Sequence, residues 1–550
     1  MPVYGRGLQK FRGAPRFKKH GHDLGSMVEQ ASLQTSFKQP AGSGRSIGTV
    51  ISFGSTPDIY TFHFVISNAL DASRQVKVGK HVCVLENDGL VIGQIVNLVK
   101  INEYFLNANT LKESRPQVNF ASIFPVDQWE YVLGEVNVMG FYPVLDGQKK
   151  GGAASLPVVE KSIVPVSPGS SVQAMIPELL EKFLGFNSLD GLHLGTMDVD
   201  GLPVKVDLAK LFQKHLAILA MSGAGKSYLV SVLLEEFIKA RKAMPPVIII
   251  DTHGEYTAMF NASNTKNKFP RTKIEITGGS FIQIGTPFLT GGSFFNYMPN
   301  MSPVQGRDLM RVFNELRQSK KKFDLQDLVA ALESDAKLGK KTKEALEGWL
   351  YQLGQYGMFA ATEHPRLDEM LKPNTIAVLD LSGLTSSKQK QIIVDYIASR
   401  AFYLRKNRSI PPFVLVIEEA HQFVPQAAAE NAVARHTIET IAREGRKFFA
   451  SLCLISQRPV NLSTTVLSQC NTQIVLRVSN PYDLDHIRTS SEKITPEALK
   501  MIASLPVGSA VIVGSAVNTP VFLKVRPREF LVDGKEGGLL EELEAFNKQP

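Results

Sequence analysis

Cysteine is scarce in this chain of 550 residues: Cys83, Cys453 and Cys470 are all it has. They share no metal-ligand spacing, which argues against a zinc module and a disulfide framework and fits buried thiols in a reducing, cytoplasmic compartment. No apolar run approaches the ~18–20 residues that a membrane span requires, so no membrane association is expected. Acidic residues are missing from positions 1–22, which hold Arg6, Lys10, Arg12, Arg16, Lys18 and Lys19. Without those 22 residues the net charge of +9 falls to +3. So mildly basic a body excludes a global nucleic-acid-binding field; any such surface is a local patch or a lined channel. The arm, residues 1–44, is poor in aliphatics and reads as disordered, a solvated tail ahead of a contact to DNA phosphates, with no apolar core of a secretion signal.

What is present is enough to build a large core. Hydrophobic residues make up 44% of the chain, and its length implies more than one domain. Strand-like runs at 48–53, 59–66, 81–85, 90–99, 131–138 and 162–166, with Asn87-Asp88-Gly89 as a hairpin turn, predict a small β-barrel over residues 45–170. Residues 147–154 read as an exposed loop within it. An amphipathic helix over 175–184 stops at Gly185. Further on, strand-like runs at 216–220, 247–251, 375–380, 413–417, 450–455, 472–478 and 510–513 alternate with helical patterns. Residues 171–530 therefore read as an α/β domain with a largely parallel sheet. Residues 304–370 are helix-rich and form an insertion with solvated lysines; 531–550 are a tail.

The sharpest local signal is the run from His215 to Ser227, HLAILAMSGAGKS. An apolar strand, a loop of small residues (Ser222, Gly223, Ala224, Gly225), then Lys226-Ser227 and, from Tyr228, an apolar helix is the build of a phosphate-binding loop. Loop N–H groups and the helix N-terminus converge on phosphates, Lys226 reaches the β- and γ-phosphates, and Ser227 holds Mg²⁺. The fuel is thus ATP. The first glycine of the usual pattern is missing: Ala220 stands there, which is tolerable if its φ is negative.

Other strand ends carry matching chemistry. The strand 413–417 runs into Glu418-Glu419-Ala420-His421; Glu418 is assigned to the Mg²⁺ shell and Glu419 to polarising the attacking water. The commoner Asp is absent at 418. Asp251, ending the strand 247–251, and Glu255 after it face the metal shell or the attacking water, or, for Asp251, cap a turn closed by Gly254. Gln457 follows the strand 450–455 and senses the γ-phosphate or closes a turn before Pro459. Arg443 and Arg446 lie three apart on one helix face if the helix persists past Gly445. They are arginine-finger candidates or plain helix-end charges. Lys214 is a further basic candidate.

Taken together these segments resemble the HerA branch of the HerA–FtsK motor ATPases. The resemblance rests on Lys214–Leu219 with Gly225-Lys226-Ser227, on Asp251–Tyr256, Ile417–His421, Ala442–Phe448 and Ser456–Pro459, and on Leu467–Arg477 with Asn480, Asp483 and Leu505–Gly508. It implies a RecA-like P-loop ATPase core with a helical insertion, preceded by a HAS-barrel-like domain. It also implies a homo-hexameric ring that translocates or unwinds double-stranded DNA as a helicase. Such rings work with a NurA nuclease, beside a second end-processing nuclease and its SMC-like ATPase, in DNA end resection for double-strand break repair by homologous recombination. The barrels would form the nuclease-docking face. Lys226 and Ser227 would bind phosphate and Mg²⁺, Glu418 and Glu419 would be the Walker B acids, and Gln457 the sensor. Arg443 or Arg446 would act in trans, Lys214 would sit near the subunit boundary, and the segment from Phe530 would brace the neighbour's nucleotide. Two rival expectations stand beside it: a nucleotide-gated ring scaffold for a nuclease or defence effector, and a chromosome-segregation or conjugation pump.

Overall fold

The computed structural model describes residues 43–530 except 67–75, 87–88, 103–129, 144–162, 241–242, 261–270, 428–431, 492–493 and 495. Residues 1–42 of the basic arm, the loop at 147–154, the two central residues of the hairpin turn and the tail from 531 lie outside the described residues; the last two positions expected in the arm, 43–44, begin the first strand.

Six antiparallel strands close a barrel: β1 (Ser43–Ile51), β2 (Thr61–Ile66), β3 (His81–Glu86), β4 (Gly89–Asn102), β5 (Glu130–Pro143) and β6 (Ser171–Met175), in the order β1-β2-β5-β4-β3-β6. Alternation drives it. In β2, Phe62, Phe64 and Ile66 point inward while Thr61, His63 and Val65 are half-buried, the period-2 pattern of a sheet with one buried face. Phe64 fills the space above Gly48 and Gly134, where a Cβ would stand 2.6 and 2.3 Å from its ring.

Two expectations about the barrel are corrected. Its closing strand is 171–175, past the expected boundary at 170 and at the site expected to open a helix; the helix begins only at Pro177. The run 163–166 is not a strand. Ile163 and Val164 are 84% and 63% exposed, and Pro165 and Pro168 cannot donate to a ladder.

The rest of the chain builds one sheet of eleven strands. In chain order these are β7 (Leu192–Thr196), β8 (Pro203–Val206), β9 (Leu216–Leu219), β10 (Val247–Asp251), β11 (Lys273–Gly278), β14 (Thr375–Asp380), β15 (Phe413–Ile417), β16 (Ala450–Ser456), β17 (Thr472–Leu476), β18 (Ser509–Gly514) and β19 (Val521–Val525). The two-residue strands β12 (Ile284–Gly285) and β13 (Phe359–Ala360) pair separately. Spatial order is β11-β14-β10-β15-β16-β9-β17-β18-β19-β7-β8. The first seven run parallel; β17 onward is antiparallel. β9, β10 and β15 are buried at every position, as befits strands covered by helices on both faces.

Helices Pro303–Ser319, Leu325–Ser334, Lys340–Gly354 and Leu367–Met370 occupy the stretch before β14. Capping boxes at Ser302 and Asp324 start the first two, satisfying N–H groups that a helix start leaves open. The barrel is tied to the large sheet by His81, whose Nδ1 is 2.7 Å from Asp200 Oδ2; both side chains are buried. Among the described residues no helix is long and apolar enough to cross a membrane.

Candidate active site: a phosphate loop beside two buried acids

β9 hands the chain to the loop Ser222–Gly225 and then to the helix Lys226–Lys239. Gly223 and Gly225 take φ of 74° and 100°, left-handed values that favour glycine. Gly225 caps the helix, so the unpaired N–H groups of the first turn face the loop's concave side. Ala220 is fully buried, is not among the positive-φ residues, and donates its N–H to the Ser456 carbonyl at 3.2 Å. The missing glycine therefore costs the loop nothing. The loop opens on a cleft of about 640 Å³, bounded also by Ser227, Tyr228, Glu255, Gln457 and Arg528.

Two strands away, β15 delivers Glu418 and Glu419 beneath Lys226. Glu419 holds a left-handed backbone, φ 47°, a strained state for a side-chain-bearing residue of the kind that collects at functional sites. Its Oε1 accepts from Lys226 Nζ at 2.6 Å and from Gln457 Nε2 at 2.5 Å. Burial pushes the Glu419 carboxyl up, but the Lys226 hydrogen bond and charge, with Gln457, outweigh it and hold the group below the usual range.

Glu418 is fully buried, and its Oε2 accepts from both the N–H and the hydroxyl of Thr252 at 3.1 Å. Lys226 Nζ stands 3.6 Å from its Oε1, too far for a hydrogen bond. Burial therefore prevails over Lys226, with Glu255 and Asp251 adding repulsion, and the carboxyl is pushed up to about 7. Glu418 Oε1 has no hydrogen-bond partner. A buried carboxylate oxygen left open beside a phosphate loop fits a hydrated Mg²⁺, a hard cation bound through one or two carboxylates with substrate phosphate.

Asp251 is corrected. It does not face the cleft: Oδ1 accepts from the N–H of Gly254 and Glu255, and Oδ2 from the N–H of Tyr256 and Thr257 and from the Thr257 hydroxyl, at 2.8–3.2 Å. With both oxygens saturated, it caps the helix Glu255–Phe260 and is no metal ligand. Glu255, exposed, does line the cleft.

Arg443, Arg446 and Lys214 are not brought to Lys226. The helix Arg435–Phe448 continues through Gly445 and ends where β16 begins, with Cys453 beside Leu216 at the start of β9. Both arginines are exposed there, at the end of the sheet opposite the phosphate loop. Lys214, half-buried, precedes β9 at that same end. His215 pins the helix to the strand. Its Nδ1 accepts from Leu452 N–H at 3.0 Å, so Nε2 carries the proton donated to the Ala442 carbonyl at 2.9 Å. Burial lowers its pKa to about 4. Gly445 is required beside it, since a Cβ would lie 2.4 Å from the Ala450 carbonyl.

Sequence reasoning missed three contributors. Thr252 holds Glu418. His421 Nδ1 lies 3.3 Å from Glu419 Oε2 and 3.2 Å from Ser456 Oγ. The segment after β19 returns to the phosphate-loop helix of its own chain. Arg526 pairs with the buried Glu235 at 2.8 Å and with Glu236 at 2.7 Å, and Glu235 Oε1 accepts from the N–H of Glu529 and Phe530. This strap carries Arg528 over Tyr228 at the cleft, guanidinium 5.2 Å from the ring. A conspicuous charge in the buried stripe of that helix, Glu235 between Leu234 and Phe237, was the available signal.

Fold and site together define a P-loop ATPase of the α/β class. Residues 192–401 match the family model described as Helicase HerA, central domain. A probable helicase of Methanocaldococcus jannaschii is 29% identical over 490 residues, covering 85% of this chain and 89% of that protein. The DNA double-strand break repair helicase HerA of Pyrococcus furiosus is 26% identical over 512 residues, 83% and 89% of the two chains. Among solved structures, VirB4 of Thermoanaerobacter pseudethanolicus superposes with a TM-score of 0.50 at 19% identity, over 63% of this chain and 99% of that one, a likeness of fold. The chain is thus similar to HerA helicases over most of its length.

Proposed function

We propose that the chain assembles into a ring, a homo-hexamer by its resemblance, that uses ATP to move along double-stranded DNA and serves a NurA-like nuclease in DNA end resection. The observation that carries the ATPase half is the triad Lys226–Glu419–Gln457, set beside an unsatisfied Glu418 oxygen. The observation that favours a shared site is the position of Arg443 and Arg446, exposed at the end of the sheet that their own cleft does not occupy. The helicase names of the relatives support DNA as the track, and the barrel is the natural seat for a nuclease.

ATP enters with its phosphates on the loop N–H groups. Lys226 turns from Glu419 to the β- and γ-phosphates, which frees the carboxylate. Glu419, steadied by Gln457 and His421, orients the attacking water and takes up its proton. Ser227 and Glu418 would hold Mg²⁺, whose charge offsets that of the phosphates. An arginine of the neighbouring subunit stabilises the charge that develops on the transferred group, an effect on the order of 10³–10⁵ in rate. Loss of the γ-phosphate loosens that junction, and contacts to the DNA backbone shift, as suits a motor that must ignore sequence.

The test is ATP turnover with and without linear duplex DNA, in wild type and Glu419→Gln, with and without a nuclease partner. Stimulation of wild type by duplex DNA, absent in the variant, is expected. Turnover indifferent to both DNA and nuclease would sink the motor reading and leave the scaffold reading.

A further inference from the structure

At the end of the sheet that carries the two arginines, Phe449 is in an unusual position. It caps the helix Arg435–Phe448 with φ 54° and ψ 40°, its N–H directed at the Arg446 and Gly445 carbonyls. This left-handed position ordinarily belongs to glycine or asparagine, and for a bulky residue it is an outlier. The ring gains no burial in exchange: Phe449 is 61% exposed. Strain and solvent exposure together argue that the side chain is kept for something outside its own fold.

Its surroundings indicate what. Phe449 lines a groove of about 300 Å³ with Leu208, Phe212, Pro245 and Pro412, its polar members being Lys210, Gln213 and Ser451; the serine hydroxyl is spent on the Phe212 carbonyl at 2.7 Å. The same helix end exposes Arg443, Arg446 and Lys447. None of the three forms an ion pair among the described residues, and the intervening Glu444 is taken by Lys406 at 2.8 Å. A largely apolar groove edged by uncompensated cations fits a partner that brings negative charge and an apolar ridge. The other end of this same sheet offers an acid and an exposed aliphatic side chain. Glu255 is exposed at the cleft. Val507 is 58% exposed, next to Gly508, whose N–H meets the phosphate-loop carbonyl of Ala224 at 3.3 Å. Opposite ends of one molecule that complement each other make a head-to-tail contact, and such contacts close into rings.

We infer that Phe449 and its groove are the apolar anchor by which one copy of the chain seats on the nucleotide-cleft rim of the next. The inference rests on the shared-site reading above for the direction of the contact. It makes the strained backbone a cost carried by the free protomer and offset in the assembly, as at aromatic hot spots beside charged rims.

The experiment compares wild type, Phe449→Gly, Phe449→Asn and Phe449→Leu by sedimentation velocity over a range of concentrations with a non-hydrolysable ATP analogue, and by thermal melts at concentrations where protomers prevail. Gly and Asn relieve the left-handed backbone and remove the ring. The expected result is a protomer that melts no lower than wild type, higher by about 1–2 °C for Gly, together with self-association weakened about tenfold or more. Phe449→Leu retains part of the association at a lower melting temperature. Association of the Gly and Asn variants within about twofold of wild type overturns the inference; so does weakened association that comes only with a lowered protomer melt. The double variant Arg443→Ala/Arg446→Ala separates the two readings. If wild type assembles and that variant loses turnover while Phe449→Gly assembles normally, only the anchor fails. If wild type stays a protomer at every concentration, the shared site fails with it.

Discussion

The two ends of the eleven-stranded sheet are built on opposite plans. At the phosphate-loop end the buried charged groups among the described residues find partners inside the chain: Lys226 with Glu419, Glu419 also with Gln457, Glu418 with Thr252, Arg526 with Glu235. The exception is one oxygen of Glu418, the atom a metal would claim. At the other end Arg443, Arg446 and Lys447 are exposed and form no ion pair among the described residues, and the Phe449 ring is largely exposed on a left-handed backbone. A closed electrostatic system is a machine waiting for substrate; an open one is a surface waiting for a partner. That contrast, within one sheet, is the structural case for a site completed between subunits.

The largest effect that bears on the contrast is expected from Glu419→Gln. It keeps the shape of the closed end and removes the base, so turnover should fall on the order of 10³-fold while nucleotide still binds. Retention of more than about a tenth of wild-type turnover, in a rapid-quench assay, would mean that the water is activated elsewhere.

Next in size is Arg526→Ala. It leaves Glu235 buried without its cation, at a cost of about 3 kcal/mol in denaturant unfolding, and releases the strap that carries Arg528. The KM for ATP should rise more than kcat falls. Unchanged stability would show that the strap is not closed by this pair.

An effect of comparable size, seen only as pH falls, separates the ends. His215 is held neutral, with a folded pKa of about 4 against an ordinary value near 6.5. The unfolded chain takes up its proton as pH falls below about 6.5, and the folded chain does not until about 4. Its contribution is therefore complete above the unfolded value and is lost as pH falls through that window, roughly 3 kcal/mol in total. His215→Gln should flatten this part of the stability–pH curve, measured by urea titration at pH 7 and pH 4.5. An equally steep curve in the variant would assign the slope to other groups.

The smallest change is Thr252→Val, which removes one hydrogen bond to Glu418 and about 1 kcal/mol. Its mark should be a weaker response of turnover to Mg²⁺, with kcat at saturating Mg²⁺ close to wild type. A Mg²⁺ dependence identical to wild type would place the metal away from Glu418.

Much of this was legible in the residues because local pattern and chemistry coincide. The strand-loop-helix around Lys226-Ser227 and the acids after the all-apolar β15 declare themselves, since buried parallel strands read as unbroken hydrophobic runs. β11, with its polar edge sequence Lys273–Gly278, and the short antiparallel strands β7, β8 and β19 do not stand out in the same way. Residues 163–166 carry three apolar side chains, but Pro165 breaks the row of donors a ladder needs. Asp251 taught a different lesson. An acid at a strand end is the same letter whether it holds a metal or caps a helix, and only the five hydrogen bonds it accepts decide between them. Arg526 and Glu235 lie 291 positions apart, a distance no local pattern spans.

The central claim is that the closed end of one chain works with the open end of another. Subunit mixing tests it most directly. Glu419→Gln and Arg443→Ala/Arg446→Ala are each expected to be nearly inactive alone. Mixed in equal amounts and allowed to exchange, they form some junctions in which an intact Glu419 faces intact arginines, and turnover should recover to as much as about a quarter of wild type for random heterologous assembly. A mixture no more active than the two variants measured separately would contradict the account.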